Sequence, residues 1–496
     1  MNWYRLASTV PWISLVLAIP ALGAVLVLLL PSRGRTAIRW LGIVAALGAF
    51  GLVLALIGGF QHGVAGLQFE ERYPWIPGIG ISYHVGVDGL SIFLLGLNGL
   101  LYLLALLAAD KTMPRFKEFV ILLLVMSTAT AGVLVSLDLI LFYVFWEGML
   151  VPLYFLIGAW GEGRRVYAAF KFVIYTVFGS FAMLVSILAT AGIAFSQTGQ
   201  LSFDWTYLLQ HPAGGAAQDL LFLGFALAFA IKMPIFPFHT WLPTAYTATP
   251  IPALIVFAGL VSKLGAYGFL RFNLALFPQG ARTWGPVLAV LATAGILYAA
   301  FMALIQRDMK TLVAYASMSH VNFIGLGIFA GNVLGVEGAL IQMVNHGLII
   351  AALFLLVGML ELRTGTRDRS LVRGLTRRAP IFAGLFFLPA LAALGLPGLN
   401  SFVGEFFIML GAWSAFLPLA VAAGVAVVLA AWYVLRFYQG AFEEAPARPE
   451  AFPDMRFGDV GILSPLALLI VVLGVVPIFF VAAVESTVRA LPVIAR

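Results

Sequence analysis

The chain has 496 residues, 62% hydrophobic and 10% charged, with mean hydropathy +1.05 and a net charge of +7. Soluble domains carry about 25% charged residues, so this composition excludes an ordinary soluble domain and indicates a polytopic membrane protein. It holds no cysteine, which excludes disulfides, Cys-ligated iron–sulfur clusters and thiolate zinc sites in this chain, and no phosphate-loop or dinucleotide glycine motif is present.

Apolar runs long enough to cross a ~30 Å hydrocarbon core predict spans at 12–30, 37–60, 87–109, 118–136, 138–158, 170–195, 218–240, 252–270, 284–305, 311–331, 336–360, 380–412, 414–435 and 460–483. The first run is of span length behind a short mixed segment, so it is expected to span the membrane rather than to be cleaved. Connections alternate sides, and Lys/Arg collect on the cytoplasmic one. With the N-terminus outside, nineteen of the 28 Lys/Arg fall in inside connections, among them Arg33, Arg35, Lys111, Lys310 and Arg448. The outside connections hold six, namely Arg5, Arg72, Arg271, Arg282, Arg489 and Arg496. Lys171, Lys232 and Lys263 fall within spans, Lys171 near an end from which it can snorkel. A miscounted span would scramble this alternation, so the split supports fourteen spans with both termini outside. The positive charge is topological, and no nucleic-acid patch is expected.

Two spans are broken in the sequence itself. In 218–240, Pro234 and Pro237 follow Lys232 closely and remove backbone donors. In 380–412, Pro397 sits amid Gly395, Gly398 and Asn400. Interrupted helices at corresponding places in two halves point to a transport site. The separation from Glu147 to His320 equals that from Lys232 to Glu405, 173 residues. The expected organisation is an N-terminal three-helix segment (1–116), two five-helix repeats (117–272 and 284–440), and a last helix with a short tail (441–496).

Ionised side chains at mid-bilayer cost roughly 2.5–3.5 kcal/mol on insertion scales, so buried ones are functional candidates. Glu147, Lys232, Lys263, His320, His346 and Glu405 all fall well inside spans. One buried Glu–Lys pair can be inert glue, and one buried His is as often a packing residue. The set is harder to dismiss: acid, amine and imidazole at similar depth form a chain of titratable groups able to pass protons through water. A carboxylate about 4 Å from an ammonium is worth about 4 kcal/mol at an effective dielectric near 20, enough to load and unload a lysine as the pair closes and opens.

FYVFWEGMLVPLYFLIGAWG (142–161), HTWLP (239–243), KLGAYGFLRF (263–272), DMKTLVAYASMSHVNFIGLG (308–327), NHGLIIAALFLLVGML (345–360) and GLPGLNSFVGEFF (395–407) resemble one family. It is the chain M group of bacterial NADH–quinone oxidoreductase (respiratory complex I), whose antiporter-like membrane-arm subunits are related to Mrp-type Na+/H+ antiporter subunits. The likeness covers roughly residues 85 to 440. It implies an all-α polytopic membrane protein of about 14 transmembrane helices, with inverted five-helix repeats and discontinuous helices 7 and 12. It implies that Glu147 and Lys232 are a coupled ion pair, Lys263 and His320 a central relay, Glu405 the exit-side acid and His346 an auxiliary polar group. An acid at Glu405, where the sister chains L and N carry lysine, places the chain in the M group.

By the same resemblance, the chain binds no cofactor or metal. NADH, FMN, iron–sulfur clusters and quinone would belong to partner subunits, the neighbours would be L-like and N-like chains, and the location would be a bacterial inner membrane. One segment departs from the family. HTWLP is commonly followed there by DAHTEAP but here by TAYTATP, so Thr244, Tyr246 and Ala248 replace acid, imidazole and acid, and proton entry near that end is expected to differ. An Mrp-type Na+/H+ antiporter subunit and a passive membrane scaffold are the alternative readings.

Overall fold

The computed structural model describes residues 10–443 and 452–494; Arg5, Arg448 and Arg496 of the charge pattern lie outside these. The described chain is mostly helical, in two compact units. The first takes residues through Met233 together with Lys263–Pro286 and the chain from Ala482; the second takes Pro234–Ser262 and Val287–Val481. Eleven helices among the described residues are long and apolar enough to cross a membrane, and two shorter apolar ones accompany them.

The first unit begins with α1 (Trp12–Leu29) and α2 (Arg35–Gly59). A β-hairpin follows, β1 (Gln68–Ile76) and β2 (Ile81–Val87), paired antiparallel with Tyr73 opposite Tyr83. This hairpin is a local addition to the helical membrane fold, and it ends at Val87, where the run read as a span begins. The turn carries PGIG, with Gly80 in the left-handed region at φ 71°. Then come α3 (Ile92–Ala108), α4 (Phe116–Val135), α5 (Leu139–Gly148), α6 (Leu150–Trp160), α7 (Arg165–Thr198), the short α8 (Trp205–Gln210) and α9 (Ala216–Lys232).

Two aspartates start helices and hold the hairpin. Asp138 accepts from the amides of Ile140 and Leu141 at the start of α5 and from Ser82 N on β2. Asp204 caps α8 through Thr206 and Tyr207, and its other oxygen meets His84 Nδ1 of β2 at 2.6 Å. Burial alone would raise the Asp204 carboxyl, but the His84 and Thr206 hydrogen bonds outweigh it and hold the group at about 2.

α9 stops at Lys232, and the chain turns through Met233 to Thr240 before α10 (Trp241–Ala248). The run read as span 7 is therefore broken where Pro234 and Pro237 deny backbone donors. α11 (Ile251–Leu276) carries two π-helical stretches, Phe257–Val261 and Phe269–Asn273. The boundary between the units falls within it, between Ser262 and Lys263. α12 (Pro278–Ile305), α13 (Met309–Phe329) and α14 (Val333–Thr364) follow. α13 and α14 are buried around nearly their whole circumference, which is why their sequences show no polar face.

The run read as span 12 divides into α15 (Pro380–Ala393) and α16 (Asn400–Ala415), separated by LGLPGL. After α17 (Leu417–Tyr438) come α18 (Phe457–Val475) and α19 (Ile478–Arg489). The run 460–483 is therefore not one helix; Pro477 interrupts it.

Two cations assigned to connections lie elsewhere. Arg271 is buried inside α11 and forks onto both Asp88 oxygens, at 2.8 and 2.6 Å. Lys310 is buried in the first turn of α13, and its ammonium donates to Thr249 O at 2.7 Å. Both are amphipathic or forked side chains that a local window cannot distinguish from loop cations, because their partners lie 61 to 183 residues away.

Candidate functional site

In the first unit, Lys232 is the last residue of α9, so its cation lies at a helix C-terminus, where the backbone dipole favours positive charge. Its side chain is 1% exposed. The ammonium sits 4.7 Å from the centroid of the Trp146 ring and 5.7 Å from that of Phe172, an arrangement stabilised by the ring quadrupoles. Trp146 immediately precedes Glu147, and Glu147 is within electrostatic reach of the lysine.

The two do not form a direct ion pair. Lys232 Nζ and Glu147 Oε1 are both buried, and neither has a hydrogen-bond partner among the described residues. The ammonium is thus held on aromatic faces rather than bonded to the carboxylate. The aromatic wall continues through Phe229, 5.5 Å from Trp146, and Phe142, 5.4 Å from Trp146.

Lys263 is wholly buried on α11, between the two π-helical stretches. Such stretches are frequent at functional sites because they displace the backbone register. Gly265, two residues on, lies where α11 meets the broken end of α9. A Cβ there would come within 2.6 Å of Phe229 O and 2.8 Å of Met233 N. The backbone carrying Lys263 thus packs directly against the backbone carrying Lys232.

In the second unit, His320 and Glu405 are bonded, His320 Nδ1 to Glu405 Oε1 at 2.8 Å. The same oxygen accepts from Gln342 Nε2 at 3.0 Å and from Ser401 Oγ at 3.0 Å. Gln342 Nε2 also donates to Ser401 Oγ at 2.8 Å. Three polar groups from three helices thus converge on one carboxylate oxygen. The His346 ring lies 5.5 Å from that of His320.

The helix breaks build this network. Glu405 sits in the second turn of α16, so the break at 394–399 sets where its carboxylate points. Gly395 has φ 76°, a left-handed backbone that favours glycine, and a Cβ on it would lie 2.9 Å from Glu405 Oε2 and so displace that carboxylate. Across the same break, Asn345 Nδ2 donates to Asn400 O at 2.6 Å. At the other break, Pro234 O has lost its helical donor and accepts from Asn322 Nδ2 of α13 at 3.1 Å. Asn322 lies two residues past His320.

Residue reading missed Gln342, Ser401 and Asn322. A signal for two of them was present: Gln342 precedes His346 by four and Ser401 precedes Glu405 by four, the spacing that shares a helix face. TAYTATP forms α10 and its C-terminal end, with Thr247 Oγ1 3.2 Å from Thr311 Oγ1. The three replaced positions carry the hydroxyls of Thr244 and Tyr246 and the methyl of Ala248. Among the described residues no cluster of three His, Cys, Asp or Glu has a metal-binding arrangement.

Residues 136–430 match the family described as NADH:quinone oxidoreductase/Mrp antiporter, transmembrane. The chain belongs to this family. It is 40% identical over 431 residues to NADH-quinone oxidoreductase subunit M of Rhodobacter capsulatus, which covers 85% of this chain and 84% of the relative. A chain of respiratory complex I from Thermus thermophilus with bound NADH superposes with TM-score 0.87 at 34% identity, over 97% of this chain and 99% of that one. A chain of the Mrp complex from Dietzia sp. DQ12-45-1b shares the fold at TM-score 0.83 and 22% identity, over 97% of each chain. A family member of this kind is a multi-pass membrane protein, in agreement with its apolar helices.

Proposed function

We propose that this chain is a proton-translocating, antiporter-like membrane-arm subunit of an NADH–quinone oxidoreductase in a bacterial inner membrane. Its fourteen spans would form two inverted five-helix repeats, 117–272 and 284–440, with both termini on the periplasmic side. Redox groups (NADH, FMN, iron–sulfur clusters and quinone) would belong to partner subunits, with L-like and N-like chains as its membrane neighbours. The near-full-length likeness to relatives named subunit M supports this reading over its rivals.

The observation that carries the relay is the bond from His320 Nδ1 to Glu405 Oε1 at the broken α15–α16 helix. Once His320 has taken up a second proton on Nε2, passing the Nδ1 proton along this bond leaves a neutral imidazole and a carboxylic acid, with Gln342 and Ser401 holding the acceptor oxygen in place. Glu147 and Lys232 act as the switch. When they close, the carboxylate favours the protonated lysine; when they open, desolvation favours its release. Lys263 takes the proton on toward His320, Glu405 is the exit-side acid, and His346 supports His320.

The test is proton pumping by the assembled complex, measured alongside NADH-driven quinone reduction. Glu147→Gln or Lys232→Ala should abolish coupled pumping while the complex still assembles. Full pumping in both variants overturns the proposal. The Mrp-type alternative rests on the shared fold, and it predicts Na+/H+ exchange by a complex without redox subunits. A passive scaffold would tolerate apolar replacement of both Glu147 and Lys232.

A further inference from the structure

The helix ends around residues 30–40 and 109–118 carry a charge excess that the relay does not use. These two segments hold Arg33, Arg35, Arg39, Lys111, Arg115 and Lys117 against only Asp110 and Glu118. Four of the cations have a stated structural task. Arg35 donates to Lys111 O, Arg39 to Leu107 O, and Lys117 to both Leu28 O and Leu30 O. Arg115 lies 3.9 Å from Glu118 and over the Trp160 ring. Asp110 is turned onto its own loop, accepting from Thr112 N.

Arg33 and Lys111 remain. Both are exposed, and neither has a carboxylate within ion-pair distance among the described residues. They face one open cleft of about 320 Å3, lined also by Gly34, Arg35, Thr36 and Thr112. The cleft therefore gathers two guanidinium groups, an ammonium and two hydroxyl side chains from two separate connections, with no acid in its lining. Forked guanidinium donors beside an ammonium suit the oxygens of a phosphate ester.

The surroundings say which phosphate. The cleft opens where α1 ends and α2 begins, at the polar end of two membrane-length helices. Two stripes of exposed apolar side chains lead to it. On α1, Leu22, Val25, Leu26 and Leu29 follow helical spacing and are 59, 53, 50 and 75% exposed. On α2, Trp40 and Val44 are each 59% exposed. A free anion has no use for these stripes, whereas acyl chains do, and tryptophan is enriched at the headgroup level of membranes.

We propose that the cleft bounded by Arg33, Arg35 and Lys111 binds the phosphodiester headgroup of an anionic phospholipid, whose acyl chains lie along the exposed faces of α1 and α2. The site is separate from the proton relay and holds whether or not the relay does.

The test is native mass spectrometry of the full chain in detergent, titrated with phosphatidylglycerol, phosphatidylcholine or inorganic phosphate. The variants are Arg33→Gln/Lys111→Gln and, as a control on the same end, Arg115→Gln. Each juxtamembrane cation contributes about fivefold to anionic-lipid attraction, so the double variant should lose phosphatidylglycerol adducts at least about tenfold. The control should keep them, and phosphatidylcholine should bind neither protein. Because Arg33 and Lys111 make no described side-chain bond, the double variant should keep the parent melting temperature; a drop in its melting temperature would overturn the description of these residues as spare. Equal phosphatidylglycerol adducts on parent and double variant overturn the site. Saturable binding of inorganic phosphate without phosphatidylglycerol overturns the lipid and assigns a free anion. Binding of neither, with an acidic protein segment crosslinking to Lys111 in isolated membranes, overturns it in favour of a partner subunit.

Discussion

Glu405 shows how much of this site is set by single atoms. Three donors converge on one of its oxygens, two of them neutral groups on the same or the adjoining helix. Losing one such bond to a charged acceptor costs about 1.5–3 kcal/mol. Ser401→Ala is therefore expected to leave the fold intact and to slow proton translocation severalfold; Gln342→Leu, which removes donors to both Ser401 and Glu405, should slow it more. Pumping rates of the two variants at equal expression check the order. Gly395→Ala is expected to be worse than either, because the left-handed backbone costs about 1–2 kcal/mol for a residue with a Cβ and that Cβ would press on Glu405.

At the scale of elements, three fastenings hold broken or irregular pieces in place. The Arg271–Asp88 fork is buried at both ends, and removing one partner of such a pair costs about 3–5 kcal/mol. Arg271→Met should therefore cut the yield of folded protein sharply, and adding Asp88→Asn should restore part of it, as read by size-exclusion profile and melting temperature. Lys310 places a cation on the C-terminal carbonyl end of α10, a position the helix dipole favours. Lys310→Met is expected to lower stability by about 2 kcal/mol and to raise hydrogen exchange over residues 241–249.

The hairpin is pH-sensitive at its anchor. Asp204 is held at about 2 against an ordinary 3.8, so its contribution is present above about pH 4 and is lost as pH falls toward 2. One unit is worth about 1.4 kcal/mol, giving roughly 2 kcal/mol for the whole shift. Amides of β2 should exchange faster as pH falls through that window, after correction for intrinsic rates. Asp204→Asn should show the faster exchange already at neutral pH.

For the whole molecule, the instructive comparison is between what spacing could and could not reveal. Membrane class, the apolar helices and both helix breaks were legible in the sequence, because length of apolar run and missing proline donors are local properties. So were all six titratable candidates, since an ionisable residue inside an apolar run is conspicuous without any knowledge of its neighbours. The family likeness then gave them roles, which pumping measurements on Glu147 and Lys232 variants must test.

Local pattern did not reveal the hairpin at 68–87, whose strands are anchored by His84 and Ser82 to aspartates 120 and 56 residues away. It misplaced Arg271 and Lys310, whose burial is decided by partners elsewhere in the chain. It read Pro477 through as part of one span, because the run on either side of it stays apolar. Which charges lie inside apolar runs, then, is written in the sequence; which of them touch, and which connection cations are buried, is not. Only the tertiary structure puts three donors on Glu405, lays Lys232 on the Trp146 face instead of on a carboxylate, and leaves Arg33 and Lys111 facing an acid-free cleft. Contacts of this kind join residues far apart in the chain, and their geometry depends on the packing of whole helices.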